Sequence, residues 1–248
     1  MANLLLRSFE IFSKHINLSI LFSIPFLIAI LIPLLAPFPS FITMGSVLIR
    51  KEYVQININQ EYLSIIAISS IISSLFLSFS IVLINMIAKS ERSGQAIKRR
   101  DFSKIEAYTS RVFAIVLLFL FIFLASEIAF SYIGKSYVSF VISIAIFPFF
   151  FYAPSGIVIE EKPILKAMEE SFALVLKRPS NFIIWLIVAL LLLTSTDFLV
   201  SLAYPYMGFD YEIGELIELI IASLIIIPYI TLYQATAYLD KYKFLKYS

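Results

Sequence analysis

NFIIWLIVALLLLTSTDFLVSLA, residues 181–203, is a run of 23 residues with one charged side chain, Asp197. A helix rises about 1.5 Å per residue, so about 20 apolar residues cross a hydrocarbon core about 30 Å thick. The run is a membrane span. Five other stretches read the same way: 16–36, 62–88, 112–133, 137–159 and 216–239. Lipid leaves no partner for an open backbone group, and these stretches are too long and too continuously apolar for barrel strands. The sequence therefore predicts an all-α fold, a polytopic integral membrane bundle of six transmembrane helices forming a single domain, 1–248. Prolines inside the spans (Pro25, Pro33, Pro148, Pro154 and Pro228) predict kinks rather than ends.

Composition agrees. Of 248 residues, 60% are hydrophobic and 15% charged, with a mean hydropathy of +0.95. Soluble domains carry about 45–50% apolar and about 25% charged residues, so a soluble globule and a disordered chain are both excluded. A net charge of +2 offers no overall basic surface for nucleic acid, although a translocation role leaves that partner open. The absence of cysteine and the single histidine, His15, exclude disulfides, thiol nucleophiles and a histidine-cluster metal centre. There is no HExxH, no GxxxxGK[ST] and no GxSxG, so no catalytic residue, metal or cofactor is expected. Glu160-Glu161 and Glu169-Glu170 stand among Lys162 and Lys166 and read as solvated ion pairs.

Sixteen of the nineteen Lys and Arg residues fall on one side of the six spans: the N-terminal segment, the connections after the second and fourth spans, and the tail. Only Arg50, Lys51 and Lys135 fall on the other. The positive-inside rule then predicts a multi-pass cell-membrane protein with both termini in the cytoplasm. Tyr132, Tyr137, Tyr204, Tyr206 and Tyr211 belt the outer interface, and Tyr108, Tyr238, Tyr242 and Tyr247 the inner one. The first span reads as an uncleaved helix rather than a signal peptide, because Leu34 occupies a small-residue position of the cleavage pattern.

A short amphipathic segment precedes each odd-numbered span: 4–15, 102–112 and 162–177, the last with Pro163 suited to a first helical position. Each reads as a helix on the inner membrane surface or as an extension of the span that follows. Ser8-Phe9 stands to Lys14-His15 as Ser171-Phe172 stands to Lys177-Arg178. Pro148-Phe149 and Pro228-Tyr229 each precede an acid, Glu160 or Asp240, by twelve residues. These matches predict three parallel repeats of surface helix plus helical hairpin, the middle one matching least well.

Glu127, Asp197 and Glu218 are the ionisable residues inside spans, the first two each six residues, about 9 Å, from the outer end. An acid at that depth needs a partner, water, an ion or a proton. Asp197 shares a helical face with Thr194 and Ser201, so the candidates for an intramembrane polar or ion site are Glu127, Asp197, Glu218, Thr194 and Ser201. The competing reading is a hydrogen-bonded clamp between helices. A stripe of small and polar residues on the second span (Ala67, Ser70, Ser74, Ser78, Asn85 and Ala88) reads as a packing seam. Lys98, Arg99, Arg100 and Lys104 are candidates for contact with anionic lipid headgroups or a cytoplasmic partner, although topology alone asks for cations there. In the outer connection 37–61, alternation of Val54, Ile56 and Ile58 with polar residues predicts a short extended segment.

The stretch from Phe147 to Leu190 carries Phe151-Tyr152-Ala153-Pro154, Ile157 to Glu160, Ala167, Ser171-Phe172 and Asn181-Phe182. This pattern resembles a broad family of prokaryotic six-span membrane proteins similar to the membrane domain attached to some glycerophosphodiester phosphodiesterases. In that family the catalytic domain of the fused members is a separate soluble barrel, so the resemblance implies no hydrolase activity. The expected function is non-enzymatic: a transport or translocation component acting with partner subunits. The alternatives are a membrane scaffold that organises lipids or a partner complex and, behind it, a lipid-modifying enzyme.

Overall fold

The computed structural model describes residues 2–35, 60–94, 102–131, 137–207 and 211–241. Helix α1 (Ala2–Lys14) and helix α2 (Ile16–Leu35) meet at 90° across His15. They are followed by α3 (Gln60–Ser93), α4 (Ile105–Ser131), α5 (Tyr137–Phe151), α6 (Ala153–Glu160), α7 (Ile164–Lys177) and α8 (Pro179–Met207). Helix α9 (Tyr211–Ile221) passes through a π-helical turn (Ala222–Ile226) into α10 (Ile227–Leu239). The described residues contain no strand. Five stretches are long and apolar enough to cross a membrane, six where the bent α1–α2 pair is counted as one span. The molecule is a multi-pass helical bundle.

Several boundaries differ from the sequence reading. Helix α3 continues past the expected end at 88 to Ser93, where Gly94 turns into the left-handed region at φ +63°. Its polar last turn is held by ion pairs of Lys89 and Glu91 to other helices, and a left-handed glycine is a common helix stop. Segment 102–112 is not a separate surface helix; α4 starts at Ile105 and runs unbroken into its span. The neighbouring units show why. Arg178 is non-helical (φ −140°, ψ 63°) and precedes Pro179, whereas 102–112 contains no proline or glycine to interrupt the helix. Pro163 is extended and caps α7 rather than starting it. Residues 37–59 of the outer connection, with the expected extended segment, lie outside the described residues, and Gln60 already opens α3.

The three units close into a ring. Their hairpins are α2–α3, α4 with α5–α6, and α8 with α9–α10. The leading segment of each unit packs on the second span of another: α1 on α10, α4 on α3, and α7 on α5 and α6. The matched residues occupy matched places. Phe9 and Phe12 meet the Tyr229 ring edge-on at 6.5 and 5.7 Å, and Phe172 stacks on Phe149 at 4.2 Å. Each leading segment also sends a cation to the acid that ends its own hairpin. Lys14 reaches Glu91 at 3.0 Å, Lys104 reaches Glu161 at 2.8 Å, and Arg178 reaches Asp240 at 3.6 Å. All these contacts lie at one end of the bundle, called here the basic end.

The break in the fourth span shows how lipid dictates local structure. Pro148 and Pro154 flank it, and the helix bends at Tyr152 between α5 and α6. In a regular helix the Tyr152 N–H would donate to the Pro148 carbonyl four residues back. Here the Ser171 hydroxyl of α7 sits between them: Tyr152 N–H donates to Ser171 Oγ at 2.7 Å, and Ser171 O–H donates to the Pro148 carbonyl at 2.6 Å. A side chain inserted into the helical ladder is a recognised cause of a sharp bend. Ser171 is fully buried, so water cannot substitute for it. In the last span the π turn ahead of Pro228 absorbs the corresponding irregularity.

Replacing Ser171 by Ala strands two buried backbone groups, each costing about 1–3 kcal/mol. We expect Ser171→Ala to lower unfolding free energy in detergent or bicelles by that order. Unchanged stability would show that the break closes without the hydroxyl.

Candidate functional site

Polar side chains gather at the two ends of the bundle in opposite ways. At the basic end, charges are paired. Glu160 and Glu170 face Lys162 and Lys241 in a closed alternating square. Lys162 bridges both acids, and Lys241 reaches Glu160 at 2.6 Å and Glu170 at 2.5 Å. The Tyr238 hydroxyl donates to Glu160 at 2.8 Å, and the Lys241 ammonium lies 3.8 Å from the Tyr238 ring centroid. Gly156 makes this approach possible, since a Cβ there would stand 3.3 Å from the Tyr238 oxygen. Burial alone would lower the Lys162 ammonium, but its hydrogen bonds to Glu160 and Glu170 outweigh that and hold it above its ordinary value. Beneath the square, Ser155 donates to Asn85 at 2.7 Å in the dry interior.

Beside it, Glu161 takes the left-handed conformation (φ 58°, ψ 29°) at the end of α6. That backbone state is uncommon for a residue with a Cβ. Its carboxylate is bonded by Lys104, by the Tyr108 hydroxyl and by Lys89, and is pulled down to about 2 by those partners, Lys104 most strongly. Lys14 and His15 hold Glu91 in the same layer, at 3.0 and 3.2 Å.

At the far end two acids meet. Asp197 of α8 and Glu218 of α9 are both half-buried and lie close enough to interact, with Glu215 next to them. Burial is uneven along the molecule. The fully buried residues, among them Val82, Ile84, Val112, Ile157, Val158, Leu232 and Tyr233, belong to the cluster nearer the basic end. The apolar window of α8 is only 6% buried, against 56% for α5–α6.

The structure brings together part of the expected site. Asp197 and Glu218 meet across two helices. Thr194 does not join them: it is exposed and its hydroxyl bonds the Leu190 carbonyl of its own helix at 2.6 Å. Ser201 is exposed. A shared helical face placed both hydroxyls beside Asp197 in sequence terms, but serine and threonine inside an apolar helix commonly bond the preceding turn. Glu127 belongs to α4, and its side chain lies outside the described residues, as do Lys98, Arg99 and Arg100. Lys104 pairs with Glu161 at 2.8 Å and stays partly exposed. Ser74, Ser78, Asn85 and Ala88 of the α3 stripe are buried, while Ala67 is exposed. The hydroxyls that cross to α2 are instead those of Ser73 and Ser80, bonded to the Ala29 and Phe22 carbonyls.

Sequence reasoning missed the Ser171 insertion and the charge square. Ser171 had been marked by its match to Ser8, and Lys241 by its place after the last span, yet neither pattern names a partner. Among the described residues no group of three or more His, Asp or Glu could hold a metal ion. The chain matches no family model, no curated protein and no solved structure.

Glu161 has a depressed carboxyl, so its ion pairs contribute fully above the ordinary value of 4.5 and fade as pH falls toward about 2. Its side chain is 44% exposed, so solvent screening holds the contribution to about 1 kcal/mol or less. We expect Glu161→Gln to lower thermal stability slightly at pH 7 and to remove part of the stability loss between pH 4.5 and pH 2. An unaltered acid limb would assign that loss to other carboxylates.

Proposed function

We propose that this protein is a non-enzymatic component of membrane transport or translocation, acting with partner subunits and handling a proton or small cation at the Asp197–Glu218 pair. The observation that carries this reading is the meeting of two carboxyls from different helices at membrane depth. Ionisable groups there are costly and in general mark ion or substrate paths. Two acids held close together can share a proton and release it for a cation, or pass it on, when either helix moves. Asp197 stands on α8, whose thin packing leaves a long apolar face for lipid or a partner subunit. In this reading the basic end faces the cytoplasm of the cell membrane, as the cation bias requires.

A scaffold role is the second reading. It is favoured by the basic end, where the Lys89–Glu161 and Lys241–Glu160 pairs and the Phe12–Tyr229 and Phe172–Phe149 contacts tie all three units into one layer. There the acids would serve only to join α8 to α9, and the apolar face of α8 would dock a partner.

Reconstitution into liposomes, together with whatever co-purifies from native membranes, separates the two. Transport predicts proton or cation flux that falls at least about tenfold in Asp197→Asn/Glu218→Gln. Amides can still hydrogen-bond each other, so the variant should stay folded. Flux equal to that of empty liposomes, or unaltered in the variant, would reject the reading and leave the scaffold.

Topology is checked separately. The chain has no cysteine, so one introduced at Gly94 should react with an impermeant thiol reagent only from the cytoplasmic side, and one at Tyr206 only from outside. The reverse pattern would overturn the orientation.

A further inference from the structure

The three seams between units differ above the basic end. Two are packed span against span: α4 on α3, and α2 on the π turn of the last span. By the same plan α8 belongs on α5. Instead α8 leans on its own unit, on α9, the π turn and α10, with its foot on α7. Its ring contacts with the second unit are those of Phe182 and Trp185 with Phe147 and Phe151, next to the basic end. Burial agrees. Helix α2 buries Phe22, Phe26 and Ala29, and α4 buries Val112 and Ile115, whereas Ala189 is the one buried residue of α8 among the described residues.

The open seam continues a closed one. Phe151, Phe147, Ile144 and Phe140 are spaced i, i−4, i−7 and i−11, one face of α5. The first two pack on α8, while Ile144 and Phe140 are 51% and 50% exposed. On α8 the stripe that starts at Phe182 runs on to Leu186 and Leu190, and these are 43% and 37% exposed. The foot of α8 is pinned on two sides, since the Trp185 ring meets Phe147 and Phe151 and its N–H donates to the Ile230 carbonyl at 3.0 Å. The other arm of the hairpin, α9, joins the packed α10 through the π turn, a break in helical regularity at the level where Ala189 clusters with Ile226.

We propose that the seam between α5 and α8 is a lateral gate. The outer part of the α8–α9 hairpin pivots about Trp185 and the π turn, and lays Leu186 and Leu190 onto the Ile144–Phe140 stripe. What covers the exposed stripe is α8 itself, because the lower halves of both stripes are already joined and the other two seams are closed in this way. Lipid tails are as apolar as these side chains, so the open seam exposes nothing to water and the closed one gains only packing. Two packings so nearly balanced are the basis of a switch. The hairpin carries Asp197 and Glu218 with it. Closure is a property of the fold alone; its control of flux past the acids rests on the transport reading.

Disulfide trapping in the cysteine-free chain tests this. Phe151 lies opposite Phe182 and Phe147 opposite Trp185, so the antiparallel helices set Ile144 opposite Leu190 and, one turn further out, Phe140 opposite Leu193. A disulfide needs Cα atoms about 4.4–6.8 Å apart, a closeness that α5 and α8 do not keep along this seam. In liposomes treated with copper phenanthroline, Ile144→Cys/Leu190→Cys and Phe140→Cys/Leu193→Cys should each gain an intramolecular disulfide, seen as a faster band that dithiothreitol abolishes. Phe121→Cys/Leu190→Cys should not, because Phe121 is 70% exposed on α4. An elution profile like that of wild type shows that each pair folds. No disulfide in either seam pair overturns the closure, and a disulfide joining two chains overturns it in favour of a second copy on the stripe. Oxidation should also lower flux by at least about tenfold, with recovery on reduction. A formed disulfide with unaltered flux overturns the gating. Absence of flux before oxidation rejects the transport reading instead, and the disulfide alone then decides the closure.

Discussion

One buried hydroxyl decides how the middle of this molecule can exist in lipid. The fourth span bends open at Tyr152 between Pro148 and Pro154, and in a bilayer no water waits to bond the N–H and carbonyl that the bend separates. Ser171 takes the place of that water, accepting from Tyr152 and donating to Pro148. The consequence reaches beyond one bend. By holding α7 against α5 and α6, the bond brings Phe172 onto Phe149 and sets Glu170 opposite Glu160 across their shared lysines. The charge square therefore rests on a helix break that the square's own residues do nothing to create.

The two ends of the bundle then divide the work. The basic end is tied by cations matched to acids, by aromatic contacts between units, and by a dry core of large side chains beneath. The far end keeps two acids facing each other on the most thinly packed helix. The burial is therefore deep at the basic end and thin where the acids are. In the proposed transport reading, the α8–α9 hairpin is the part that moves.

The triple plan was legible in fragments. Ser8-Phe9 with Ser171-Phe172, and Pro148-Phe149 with Pro228-Tyr229, were visible as spaced matches, and the fold sets Phe9 on Tyr229 as it sets Phe172 on Phe149. The middle unit lacked those matches, and there the helix runs straight through without an elbow. Of the candidate site, the acids were legible because a charge inside an apolar run stands out. Their pairing was not, since Asp197 and Glu218 lie on different helices. The Thr194 hydroxyl, assigned to Asp197 by helical phase, bonds its own backbone instead, which periodicity does not reveal.

What the residues alone determined is the count and kind of spans and the end where the cations gather. Lipid acts on each run of about 20 residues as a solvent, so every run declares itself without reference to the others. What only the tertiary structure decided is which serine spans a break, which lysine answers which glutamate, and which acids meet. Those outcomes depend on the depth and rotation of one helix against another. Packing sets both, and no one-dimensional pattern contains them.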